Sequence, residues 1–157
     1  MNSGSVTAIG DSVMLGAIST LRQAIAGIDV DAAVGRQASV AVGLLKSLRF
    51  TGQLGEVVVV QVGNNGVFTA SEFDELMQVL EPARRVIFIT VKVPRRWEGP
   101  NNGVMVDGVK RYQNAATVDW YAASIERPDL FWDDGIHLRP AGAQVYADLI
   151  VSALSNP

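Results

Sequence analysis

Short apolar runs alternate along this chain with segments whose apolar residues recur every three or four positions. "SVTAIG" ends in Gly10 and leads into 13–26, where Val13, Ala17, Leu21 and Ile25 fall on one helical stripe. "IDVDAAVG" (28–35) reads as a second strand, followed by a helix over 39–48. "EVVVVQVG" (56–63) is the strongest strand signal, because its unbroken β-branched run suits a central parallel strand covered on both faces. Ser71 is placed to cap a helix carrying Phe73, Leu76, Met77 and Leu80. "RRVIFITVKVP" (84–94) is a fourth strand closed by Pro94. A long loop, "RRWEGPNNG", then precedes a helix over 104–115, and "ATVDW" is a short fifth strand. The last helix starts at Pro140, which suits a first helical position, and carries Val145, Tyr146, Leu149, Ile150 and Leu154 as its stripe.

Strands that alternate with helices in this way predict a parallel sheet with helices on both faces, in one domain spanning 1–157. In such sheets ligands bind outside the carboxyl ends of the strands. Chemistry is therefore expected where the strands end.

Composition narrows the classes. With 48% hydrophobic and 18% charged residues the chain is an ordinary globular one. A net charge of −3 without a Lys/Arg stripe argues against a nucleic-acid partner. The absence of cysteine removes thiol nucleophiles, disulfides and Cys-ligated zinc, and with one histidine any metal would need an all-oxygen site. No metal or cofactor is expected. The start "MNSGS" has no signal-peptide pattern, and no apolar run approaches the ~20 residues that a bilayer span requires.

The strand ends are polar and glycine-rich. Strand one gives "GDSVMLG", in which Ser12 sits on a strand-to-helix turn, although a plain helix cap at Asp11 or Ser12 explains the same stretch. Strand two ends in "VGRQ" at Gly35, and strand three in "VGNNG", where Asn65 either belongs to a tight turn or aims an amide into the cleft. The lone histidine, His137, lies in "DDGIHLRP", three residues after Asp134. That spacing lets the carboxylate orient one ring nitrogen and leaves the other as general base for a hydroxyl nucleophile. Together the four stretches supply a nucleophile, a base, an orienting acid and oxyanion donors at one edge of the sheet.

Gly10-Asp11-Ser12, Gly35, Gly63-x-Asn65 and Asp134-x-x-His137 resemble, in order, the four blocks of the SGNH (GDSL) hydrolases. The resemblance implies a flavodoxin-like three-layer α/β/α sandwich with a five-stranded parallel sheet of order 2-1-3-4-5. It implies Ser12 as nucleophile, His137 as base and Asp134 as its partner, with the Ser12 and Gly35 N–H groups and the Asn65 side chain as oxyanion hole. "IGDSVMLGA", "VGRQ", "VPRRWEGPNN" and "DGIHLRPAGAQVYADLI" are more narrowly similar to the extracytoplasmic SGNH domain of membrane acyltransferase-3 type O-acetyltransferases. That likeness implies transfer of an acetyl group from a small ester donor to a carbohydrate, outside the cytoplasm and beside an N-terminal membrane domain. A monomer is expected. One departure is Gly66, where many SGNH hydrolases carry Asp; the acyltransferase-linked domains commonly have Gly there.

Other residues invite weaker readings. Arg36 and Gln37 are candidates for reaching the acceptor, or form a solvated turn. Trp97 offers a face to a sugar ring, with Arg95, Arg96 or Asn101 supplying hydrogen bonds, or else anchors its loop. Trp132 is expected to pack the His137 loop, and Asp119 and Trp120 read as structural. Besides the transferase, a stand-alone esterase and a non-catalytic glycan-binding module stay open.

Overall fold

A computed structural model of the chain describes residues 4–156. Five strands, β1 (Val6–Gly10), β2 (Asp29–Ala32), β3 (Val57–Val60), β4 (Arg85–Ile89) and β5 (Ala115–Val118), form one parallel sheet of order β2-β1-β3-β4-β5. The helices are α1 (Ser12–Gly16), α2 (Ile18–Ala24), α3 (Ala38–Phe50), α4 (Ala70–Val79), α5 (Glu98–Val109), α6 (Trp120–Ser124) and α7 (Pro140–Ser155). The sandwich topology expected from the alternation is the one observed.

Strand period explains why the sheet carries two cores. Val57 and Val59 face one layer, where they meet Val13, Leu21, Tyr146 and Ile150 of α1, α2 and α7. Val58 and Val60 face the other, against Leu45, Phe73, Leu76 and Met105 of α3, α4 and α5. All four valines are buried, as a β-branched run without polar interruption requires.

Several boundaries differ from the sequence reading. The helix expected over 13–26 is two segments joined at Ala17, whose N–H donates to Met14 O (2.9 Å) in a tightened turn after Gly16, a weak helix former. Its stripe survives, because Val13, Ala17, Leu21 and Ile25 are all buried. The cap of α4 is Thr69 rather than Ser71: Thr69 Oγ1 accepts from Glu72 N and Glu72 returns a bond to Thr69 N. The helix expected over 104–115 begins earlier, at Glu98, inside the supposed loop. Pro100 is tolerated there because a first helical turn needs no N–H from it.

Candidate active site

At the carboxyl edge of the sheet, β1 runs directly into α1, and Asp11 caps that helix by accepting from Val13 N (2.9 Å). The cap fixes Ser12 at the first helical position, with its hydroxyl facing the loop before α7. Ser12 Oγ lies 3.0 Å from His137 Nε2 although 125 residues separate them. His137 Nδ1 is 2.5 Å from Asp134 Oδ2, and Asp134 Oδ1 accepts from Ile136 N (2.8 Å) and His137 N (2.9 Å).

These contacts set the electrostatics. Partial burial opposes ionisation of Asp134, but the bonds from the His137 ring and from the Ile136 and His137 N–H groups outweigh it and hold the carboxyl at about 2. A carboxylate at Nδ1 fixes the neutral ring as the Nδ1–H tautomer, leaving the Nε2 lone pair toward Ser12 Oγ. The arrangement is that of a general base beside a hydroxyl nucleophile.

Facing this pair, the loops after β2 and β3 are tied together. Asn65 Nδ2 donates to Arg36 O (3.3 Å) and Gln37 Nε2 donates to Asn65 O (2.9 Å). One amide proton of Asn65 is engaged and the other is left for the cleft. Ser12 N–H, at the start of α1, and Gly35 N–H, in a turn at φ +71°, have no acceptor among the described residues. A Cβ at Gly66 would lie 2.9 Å from Gln37 Oε1, so glycine there leaves room for the bond that holds Asn65.

Ser12 and His137 line a cavity of about 340 Å³ together with Asn64, Asn65, Arg95 and Trp97. Two larger hollows, about 470 and 560 Å³, run along the α3–α4 and α4–α5 seams and are lined by none of these residues.

The residues read as binding candidates separate. Trp97 is at the cleft, its Nε1 donating to Asn64 O (3.3 Å), and the exposed Arg95 lines it. Arg36 points away: its guanidinium bonds Gly10 O, Asp31 O and Asp31 Oδ1, and its side chain is only 8% exposed. Gln37 is directed at the Asn65 loop. Asn101 is fully buried, bonding Gly63 O (2.9 Å), Gly66 O (2.8 Å) and Phe68 N (2.8 Å), so it staples the β3 turn instead of facing a sugar. Trp132, expected to pack its loop, is 53% exposed beneath the Arg139 guanidinium. Trp120 is buried and Asp119 caps α6, in line with structural roles. The sequence reading passed over Asn64, buried beside Ser12 and donating to Asp11 Oδ2 (2.9 Å); in the string "NNG" nothing separates an inward from an outward asparagine. No group of acidic and histidine side chains suited to a metal ion occurs among the described residues.

No family model matches the chain. Among curated proteins it is 37% identical over 151 residues to the peptidoglycan O-acetyltransferase YrhL of Bacillus subtilis, and 36% identical over 149 residues to the O-acetyltransferase OatA of Staphylococcus aureus. These alignments cover 96% and 94% of the chain but 24% of either relative, so the chain spans about a quarter of the length of the proteins it matches. Among solved structures it superposes on the C-terminal catalytic domain of Streptococcus pneumoniae peptidoglycan O-acetyltransferase A with a TM-score of 0.86 at 23% identity, covering 96% of this chain and 92% of that one. A GDSL-like lipase from Bacteroides thetaiotaomicron gives 0.72 at 15%, covering 98% and 88%. The likeness to O-acetyltransferases is thus found in sequence and in fold, and the likeness to a GDSL-like lipase in fold.

Proposed function

We propose that the chain is a serine-dependent acyl-transfer enzyme that moves a small acyl group, acetyl, from an ester donor to a carbohydrate hydroxyl. The observation that carries this reading is the line Ser12 Oγ, His137 Nε2, His137 Nδ1, Asp134 Oδ2, with separations of 3.0 and 2.5 Å across the ring.

Ser12 Oγ attacks the donor carbonyl while its proton passes to His137 Nε2, and Asp134 stabilises the imidazolium. The carbonyl oxygen becomes an oxyanion bonded by the Ser12 and Gly35 N–H groups and the Asn65 amide. Collapse breaks the ester C–O bond, and the departing alcohol takes the proton from Nε2, leaving acyl-Ser12. A sugar hydroxyl then gives its proton to Nε2 as its oxygen attacks the acyl carbon, and Ser12 leaves with that proton. Water in place of the sugar gives hydrolysis.

The acetyl group and the glycan acceptor are supported by the names of the relatives. The same reading puts the site outside the cytoplasm beside a membrane acyltransferase domain, supported by the peptidoglycan in a relative's name and by the quarter-length match; no described helix is long and apolar enough to cross a membrane. The test is acetyl transfer from p-nitrophenyl acetate to an N-acetylglucosamine oligomer, followed by mass spectrometry. Acetylated glycan that disappears in Ser12→Ala supports the transferase. Serine-dependent release of acetate alone makes the chain an esterase, and serine-independent behaviour leaves a glycan-binding module.

A further inference from the structure

The turn that carries Asp134 and His137 is closed almost entirely on itself. Trp132 N donates to His137 O, Gly135 N to Trp132 O, and the Ile136 and His137 N–H groups to Asp134. Such a turn holds the imidazole to its carboxylate, and its seat on the domain is the packing of Ile136 and Leu138 against the core. Apart from the Ser12–His137 bond, one hydrogen bond among the described residues joins the tip, 133–137, to the sheet: Lys92 Nζ donates to Gly135 O at 2.6 Å.

Lys92 is well braced for that task. It follows β4, and its neighbours are fixed on both sides: Asn102 accepts from Val91 N (2.7 Å) and donates to Val91 O (2.8 Å), while Glu98 accepts from Val93 N (2.7 Å). The ammonium rests over the Phe131 ring, 4.3 Å from its centroid, which favours keeping the charge there. Gly135 adopts φ +68°, which turns its carbonyl onto the lysine, and a Cβ there would lie 3.4 Å from Nζ. A charged donor makes a stronger bond to a carbonyl than a neutral one.

We infer that Lys92 is a positioning residue, a strut that sets His137 Nε2 against Ser12 Oγ by holding the Gly135 carbonyl. The inference rests on the acyl-transfer reading only for its effect on rate. A displacement of about 1 Å in such a pair costs up to roughly 100-fold.

Lys92→Met keeps an apolar stem on Phe131 and removes the donor; Lys92→Arg restores a charged donor. In p-nitrophenyl acetate turnover, Lys92→Met is expected to lower kcat about 10- to 100-fold with KM within about twofold, and Lys92→Arg to recover most of the loss. Because the chain has one histidine, 15N-histidine labelling gives a single Nε2 resonance, and Ser12→Ala marks its position without the serine bond. Lys92→Met should move that resonance to the Ser12→Ala position, and Lys92→Arg should keep it at the wild-type one. The strut is overturned if Lys92→Met leaves Nε2 unmoved, or if Lys92→Arg recovers neither signal nor rate. A wild type without serine-dependent turnover would defeat the acyl-transfer reading, while the nitrogen resonance still decides the role of Lys92.

Discussion

Beneath Ser12, Asn64 Nδ2 donates to Asp11 Oδ2 at 2.9 Å, joining the turn after β3 to the cap of α1 where both side chains are buried. The pair fixes both loops that flank Ser12. Burial makes Asp11 a weaker acid than usual: desolvation raises its carboxyl, and the Val13 N–H and Asn64 amide only partly offset this.

A carboxyl raised in the folded state is protonated in both states below the ordinary value of 3.8, and its ionisation costs stability as pH rises through the folded value. Asp11→Asn keeps the Val13 bond, and a flipped Asn64 presents Oδ1, which has no partner now. The stability of this variant relative to wild type should therefore increase from pH 4 to pH 7 in urea unfolding. A gap that does not change with pH would contradict a raised Asp11.

Asn65→Ala removes one of the three oxyanion donors we propose, from a half-buried position. Turnover of p-nitrophenyl acetate should fall about 10²- to 10³-fold with little change in melting temperature. A rate near wild type would take Asn65 out of the mechanism.

Asp134→Asn replaces the carboxylate that sets the His137 tautomer, and kcat should fall on the order of 10⁴-fold. In the wild type this carboxyl, held at about 2, stays ionised from pH 4 to 7. A kinetic step between pH 4 and 7 that vanished only in Asp134→Asn would conflict with that.

Asn101→Ala leaves two carbonyls and an N–H of the β3 turn unpaired in a buried place. The loss should be on the order of 3 kcal/mol or more, lowering the melting temperature by roughly 6–12 °C. An unchanged melting curve would show that the turn does not depend on its staple.

What was legible in the sequence was whatever a local pattern dictates. The β-branched run 57–60 marked the central strand, period-four spacing marked the α1–α2 stripe, and Asp134-x-x-His137 marked its own turn. Buried anchoring roles were not legible. Asn101 reads as a group for a sugar and Arg36 as one for the acceptor, yet each is held by backbone carbonyls of the folded loops. Lys92, in "VKVP", carries no sign of its bond to Gly135, 43 residues on. The start of α5 was missed because "EGPNN" has turn composition, while its asparagines bond outward to neighbouring loops instead of capping a helix.

The central claim is that Ser12, deprotonated by His137, forms the acyl-enzyme. It is tested most directly by release of p-nitrophenol from its acetyl ester with wild type and Ser12→Ala side by side. The wild type should turn the ester over, and the variant should be no faster than buffer alone. Equal rates for the two proteins would contradict the claim.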